Sequence, residues 1–239
     1  MSKKTKNKRL IETNNIVQEI NDVQPDILFR IHDIRHLTDS TYVLRLDRNG
    51  MDFTPGQHIT LGPAGDNQLR EYSIYSPNNV DYLEVLIKEV ETGSVSKKLK
   101  KQQRGDIVNV EGPFGFFTLN ENKLNSSELL FIATGTGIAP FHSIVKSYPN
   151  VNYKILHGIR HSNERYEFED YPRENYISCV TKDKNGDFHG RVTDYLAENN
   201  ANKNTLVYLC GNYEMIHAVY DLLATKGISA DNIRTEVYF

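Results

Sequence analysis

Apolar residues along this chain fall into two rhythms. Between residues 27 and 119 they alternate with polar ones over short stretches: "DILFRIHDIRHL", "TYVLRLDR", "GQHITLG", "REYSIYS" and "DYLEVLIKEV". Alternation with a period of two marks half-buried strands, and Asn78-Asn79 supplies a turn between the last two. One helical stretch, "SVSKKLKKQQRGD", is stopped by Gly105, and "DIVNVEGPFGFF" returns to strand. Several short strands around one helix predict a small antiparallel β-barrel.

After the polar linker "NENKLNSSE" the rhythm changes. Compact apolar strands ("ELLFIA", "YKILHGIR", "NYISCVTKD", "TLVYLCG", "NIRTEVYF") alternate with helical stretches such as "GRVTDYLAEN" and "NYEMIHAVYDLLATKG". Strands alternating with helices predict a parallel sheet covered on both faces. The expected organisation is an N-terminal arm over 1–26, a barrel over 27–119 and an α/β domain over 120–239. Within the arm, residues 9–21 are patterned as a short helix.

Composition narrows the chemistry. The 239 residues are 38% hydrophobic and 25% charged, as in ordinary globular proteins, and a net charge of -3 argues against nucleic-acid binding as the main task. No apolar run reaches the ~18–20 residues of a membrane span. The basic start "MSKKTKNKRL" has no apolar core behind it, so it does not read as a secretory signal, and a cytoplasmic location is expected. Two cysteines, Cys179 and Cys210, are too few for an iron–sulfur cluster. No CxxC or His/Cys grouping suggests zinc, and no metal site is expected.

Five short motifs carry candidate chemistry. "FIATGTGIAP" runs from an apolar strand through Gly135, Thr136 and Gly137 into a helix that Pro140 opens, a shape that lets backbone amides face an anion. The two glycines permit close approach and positive φ. Pro140 stands where the GxGxxG fingerprint needs its last glycine, so the stretch reads equally as a tight turn. "LREYSIYS" places Arg70 and Tyr72 on one strand face and Ser73 on the other; an Arg suits phosphate, a Tyr a flat ring, a Ser hydroxyl a ring nitrogen. "ETGSVSKKL" sets Gly93, Ser94, Val95 and Ser96 at a helix start, an anion cradle or an ordinary N-cap. "EGPFGFF" and "YLCGNYEM" follow; the latter puts Cys210 and Gly211 at a strand's carboxyl edge, where ligands collect.

The order of these motifs (RxYS, GxxS, GPFG, GTGIAP, CGN and a terminal ExY) resembles that of the ferredoxin–NADP reductase family over residues 27–239. The resemblance implies two domains: an antiparallel β-barrel that binds FAD, then a parallel-sheet α/β domain that binds NADP(H). By position, Arg70 would hold a flavin phosphate, Tyr72 would pack on the isoalloxazine and Ser73 would bond near N5. Gly93 to Ser96 would receive the FAD pyrophosphate, and Thr136 would line the nicotinamide pocket. Cys210 would lie near the reacting carbon, Glu236 would pair with Ser73, and Tyr238 would cover the flavin face where nicotinamide lands. Phe239 would pack on the adenine side. Arg160, Lys182 and Arg191 would receive a 2′-phosphate, so NADPH is expected over NADH, softened by a Lys where the family often has Arg and by the adjacent Asp183.

The implied activity is electron transfer between NADPH and a one-electron carrier such as ferredoxin or flavodoxin. One alternative is an NAD(P)H:flavin reductase or the reductase component of an oxygenase. A second is a non-catalytic flavin- or nucleotide-binding module, against which the joint presence of Ser73, Cys210 and Glu236 argues. The run "KKLKKQQR", residues 97–104, reads either as a steering patch for an acidic carrier or as a solvated helix face.

Overall fold

The computed structural model describes residues 28–119 and 128–238. The arm with its expected helix, most of the linker, and Phe239 lie outside the described residues.

The first unit is antiparallel throughout. Strands β1 (Leu28–His36), β2 (Thr41–Asp47), β3 (His58–Pro63), β4 (Arg70–Ser73), β5 (Tyr82–Lys88) and β6 (Ile107–Phe114) lie in the order β4-β3-β6-β1-β2-β5. A bridge between Ile74 and Val85 brings β5 back beside the end of β4 and closes the sheet on itself. The alternating apolar positions, Ile31, Leu44, Leu46, Ile59, Leu61, Val85, Ile87, Val108 and Val110, fill the interior. Helix α1 (Val95–Lys100) covers this core with Val95 and Leu99. It is shorter than its sequence pattern suggests. Beyond Lys100 no apolar residue is left to bury, and Gly105, at φ +98°, turns the chain so that its amide reaches the Ile31 carbonyl at 2.8 Å.

The second unit alternates as its rhythm predicts: β7 (Leu129–Thr134), α2 (Ala139–Ser147), β8 (Tyr153–Ile159), β9 (Tyr176–Val180), β10 (Phe188–His189), α3 (Val192–Glu198), β11 (Leu206–Gly211), α4 (Tyr213–Thr225) and β12 (Ile233–Val237). All strands are parallel, in the order β10-β9-β8-β7-β11-β12. Both faces of the central strands are apolar, so both are covered. Phe131, Ile155 and Tyr208 face Phe141 and Ile144 of α2. Ile132, Leu156 and Leu209 face Val192 and Leu196 of α3 and Val219 and Leu223 of α4.

The barrel sits on the α2 side. Its Val43, Tyr75, Leu86, Phe117 and Leu119 join the same apolar cluster as α2. Polar bonds cross around that cluster: Thr41 Oγ1 to Tyr166 Oη at 3.2 Å, Lys88 to Glu164 at 3.3 Å, Arg35 to Glu167 at 2.8 Å, and Ser143 Oγ to the Ser76 carbonyl at 2.7 Å.

Candidate functional site

Strand order places the site. From β7 the chain first builds outward through β8, β9 and β10, then crosses to β11 on the other side, and a ligand crevice opens at the carboxyl edge where that order reverses. The turn after β7 and the turn after β11 meet there. They pack so closely that side chains must be missing. A Cβ on Gly211, whose φ is +144°, would run into Thr134 Oγ1, and a Cβ on Gly137 would run into the Cys210 carbonyl. Gly135 is different: at φ +52° it has open space around it. Of the two glycines expected to admit a pyrophosphate, only Gly135 therefore keeps that reading. Gly137 has no positive φ and is small because the backbone of β11 passes over it.

A buried histidine holds this turn. His157 on β8 bonds the Gly135 carbonyl through Nε2 at 2.8 Å and the Tyr176 hydroxyl through Nδ1 at 2.7 Å. A carbonyl only accepts, so the ring is the Nε2–H tautomer and Nδ1 accepts from the phenol. Burial lowers its pKa to about 4, which keeps it neutral.

The crevice forms a cavity of about 730 Å³. Thr134, Gly135, Thr136, Gly211 and Tyr238 line its inner end, and Arg160 and Arg191 line its wall. Helix α4 starts at the cavity with Asn212 as its N-cap, accepting from the Met215 amide at 2.8 Å. Lys182, expected beside the two arginines, is not on the wall; its amide bonds the Arg160 carbonyl at 2.8 Å. Asp183 is turned away into its own loop, accepting from the Ser162 amide at 2.8 Å and the Asn185 amide at 2.9 Å. Those bonds hold its carboxyl below the usual range. Cys179 reaches the cavity lining, whereas Cys210 is fully buried behind it.

The barrel and the parallel sheet meet at the inner end. In the register of β11 and β12, Cys210 lies opposite Glu236. Glu236 faces Ser73 at the end of β4, and Tyr238, whose amide bonds the Gly211 carbonyl at 2.8 Å, folds back toward both. Tyr238 Oη donates to Ser73 Oγ at 2.6 Å, and Ser73 Oγ donates to Glu236 Oε2 at 3.0 Å. The Cys210 sulfur stands 4.0 Å from the same oxygen. The four residues expected to act together, Ser73, Cys210, Glu236 and Tyr238, are thus assembled from both units. Burial pushes the Glu236 carboxyl up to about 7, with the nearby Glu71 charge adding to the shift and the Ser73 bond opposing it. It also pushes the Cys210 thiol well up, so that sulfur is no thiolate.

One member of this group had no sequence signal. His58 begins β3 opposite Ser73, and its Nδ1 lies 3.9 Å from the other Glu236 oxygen, Oε1. The GPFG turn makes room for it: a Cβ on Gly115 would meet His58 Nδ1 at 2.8 Å. A lone His in an alternating strand carries no pattern of its own.

The residues expected to hold FAD lie along the barrel. Arg70 is exposed and bonds only the neighbouring Leu69 carbonyl, at 2.7 Å, among the described residues. Tyr72 packs on the edge of the barrel core. The two serines of GSVS do not cap their helix. Ser94 occupies the N-cap position with its hydroxyl turned to Gln68 at 2.7 Å, and Ser96 Oγ accepts from the Val90 amide at 3.1 Å. The first-turn amides of α1 are thereby left without a side-chain cap beside Gly93. That donor set, with an exposed guanidinium and a half-buried ring, fits a dinucleotide diphosphate and a flat cofactor ring.

Comparison with known proteins agrees with both halves. A family model for an oxidoreductase FAD-binding domain matches residues 29–119, and one for an oxidoreductase NAD-binding domain matches residues 131–221. The chain is 31% identical over 188 residues to a flavodoxin/ferredoxin–NADP reductase of Buchnera aphidicola subsp. Schizaphis graminum, covering 69% of this chain and 73% of that protein. It is 29% identical over 225 residues to the toluate 1,2-dioxygenase electron transfer component of Pseudomonas putida, covering 87% of this chain but only 66% of that protein. Among solved structures, a ferredoxin NADP+ reductase from Neisseria gonorrhoeae with bound FAD and NADP shares the fold at a TM-score of 0.80 and 22% identity, over 89% of this chain and 98% of the other.

Proposed function

Since the chain belongs to the ferredoxin–NADP reductase family, with an FAD-binding and an NAD(P)-binding domain, we propose that it carries electrons between NADPH and a one-electron carrier of ferredoxin or flavodoxin type. The observation that carries this reading is the Tyr238–Ser73–Glu236 chain, built from both domains at the inner end of the nucleotide cavity.

Bound FAD would supply two-electron acceptance from a nicotinamide and one-electron release to a carrier. The protein's part is placement, exclusion of water and proton handling. Arg70 and the uncapped amides of α1 would hold the diphosphate, and Tyr72 the ring system. Ser73 presents a buried hydroxyl whose proton now points to Glu236. A carboxyl near neutrality can hold or release a proton at that oxygen without a large penalty, and His58 stands beside its second oxygen. Tyr238 occupies the inner end of the cavity, so a nicotinamide ring must move it aside. Arg160 and Arg191 offer charge to a 2′-phosphate, and Asp183, turned to the Ser162 and Asn185 amides, is not among the residues lining the cavity. This favours NADPH.

Of the cations in 97–104, Lys98 pairs with Asp66 at 2.6 Å, Lys100 with Glu89 at 2.6 Å, and Lys97 bonds the Glu91 carbonyl at 2.5 Å. Less steering charge is available than the run of five suggests. A second reading, delivery of electrons to an oxygenase, draws on the similarity to the toluate dioxygenase component over most of this chain. Among the described residues no helix is long and apolar enough to cross a membrane.

Anaerobic titration of the FAD-loaded protein with NADPH and NADH, followed by mixing with ferredoxins, flavodoxins and free flavin, separates these readings. Bleaching by NADPH and fast reoxidation by a protein carrier are expected. Failure of NADPH to bleach the flavin would leave only a binding module, and reoxidation by free flavin alone would leave a flavin reductase.

A further inference from the structure

Away from the nucleotide cavity, α2 carries a histidine whose surroundings the electron-transfer reading does not use. His142 is buried on the domain boundary. Its Nδ1 lies 2.8 Å from the Tyr75 carbonyl, so Nδ1 carries a hydrogen and Nε2 is aimed the other way. Nε2 meets Asp170 Oδ2 at 2.9 Å, and Glu167 stands next to it. Donor atoms of His142, Glu167 and Asp170 all lie within 4.8 Å of one another. We propose that these three side chains form a binding site for a divalent transition cation of the zinc type.

Three further features support the assignment. A backbone carbonyl that fixes the far nitrogen of an imidazole is the usual outer support of a metal-ligating histidine. The buried Tyr171 hydroxyl has no hydrogen-bond partner among the described residues, which is rare in native interiors, and the Tyr75 hydroxyl has none within good bonding geometry, its nearest acceptor being Glu167. Their rings flank His142, Tyr75 stacked at 3.8 Å and Tyr171 edge-on at 5.9 Å. Water on a bound cation would give those phenol oxygens their partners. Finally, Glu167 is held at φ +45°, a left-handed conformation that a Glu adopts at a cost. It opens the short turn Phe168–Asp170 that returns Asp170 over His142.

An ion has a way in. The His142 side chain is 4% exposed, but those of Asp170 and Glu167 are 35% and 26% exposed. One imidazole and two carboxylates suit zinc or a neighbouring transition metal better than calcium or magnesium, which take oxygen ligands. The ion has competitors. Lys146 holds Asp170 Oδ1 at 2.8 Å and Arg35 holds Glu167 Oε1 at 2.8 Å. Binding must draw the carboxylates from the Lys146 ammonium and the Arg35 guanidinium, so affinity is moderate. The ligands come from a helix and a turn 25 and more residues apart in sequence, which is why no local grouping announces them.

The test is calorimetric titration of zinc chloride into the 239-residue protein, with folding checked by circular dichroism. One saturable site per chain is expected. His142→Gln and Asp170→Asn should abolish it. Lys146→Met should tighten it about two- to fivefold, the worth of one partly exposed ion pair. Because Lys146→Met removes a competitor rather than a ligand, it remains decisive if the other variants fold poorly. No saturable binding, binding unchanged in His142→Gln, or no tightening in Lys146→Met overturns the proposal. None of these outcomes depends on NADPH oxidation.

Discussion

Replacing Glu236 by Gln tests the electrostatics of the site most directly. The carboxyl is raised from 4.5 to about 7, with burial the main cause, and its side chain is only 19% exposed. A group whose folded pKa lies above its unfolded value contributes stability that is fully present below the unfolded value and is lost as pH rises through the folded one. The window is thus about 4.5 to 7. A difference of about 2.5 pK units corresponds to ~3.4 kcal/mol at most, trimmed somewhat by partial exposure. Gln keeps the shape and an oxygen for Ser73 but carries no charge. At pH 8 the variant should therefore be more stable than the parent by about 2–3 kcal/mol; at pH 4.5 the two should nearly coincide. Urea unfolding of both proteins at half-unit steps from pH 4.5 to 8.5 measures the difference. In parallel, reduction of the flavin by NADPH should lose its pH break near neutrality in the variant. A stability difference that stays constant across the whole range would refute the argument, because it would mean that Glu236 ionises as freely in the fold as in water.

Other outcomes follow from neighbouring features. His157, lowered to about 4 in the fold, has the opposite sign: its contribution is present above about 6.5 and is lost as pH falls toward 4, again ~3.4 kcal/mol at most. The two groups oppose one another over the same window, so the parent curve should be flattened, and Glu236→Gln should expose a steep acid loss that His157→Gln removes; unaltered curves in both variants would be the contrary result. Gly137→Ala drives a methyl into the Cys210 carbonyl and should cost about 1–3 kcal/mol, read as a lowered Tm, with an unchanged Tm as the contrary result. Arg191→Ala should weaken NADPH binding about ten- to a hundredfold, the worth of a charge-assisted bond of ~1.5–3 kcal/mol, and leave NADH nearly untouched; equal losses for both would count against the 2′-phosphate assignment. Tyr238→Ser should tighten NADP+ binding, followed by the flavin difference spectrum, and no change would mean the ring does not obstruct the nicotinamide site.

Much of this architecture was readable from rhythm. Period-two alternation in β1 and β3 and the doubly apolar β7 and β11 reflect how many faces a strand buries; β2 and β5 bury a second face as well, because Val43 and Leu86 meet the α2-side cluster. The Ser73–Glu236 pairing was readable only through the order of the motifs, since nothing local links two residues so far apart. The histidines were not readable. His58, His142 and His157 each sit in an ordinary strand or helix pattern, and their partners are supplied by elements elsewhere in the chain. The serines of GSVS show the reverse case: local propensity favoured capping, and Gln68 and the Val90 amide claimed the hydroxyls instead.

The shared apolar cluster between barrel and α2, ringed by the Arg35–Glu167, Lys88–Glu164, Thr41–Tyr166 and Ser143–Ser76 bonds, sets the mechanical character of the molecule. Swinging the two domains apart would expose that cluster and break the ring of bonds together, a cooperative event. Turning the Tyr238 side chain releases its bond to Ser73 and its packing at the edge of that cluster, a smaller change beside an already open cavity. If the proposed function holds, access to the inner end of the cavity should follow the rotation of Tyr238 on a rigid frame rather than the breathing of a hinge.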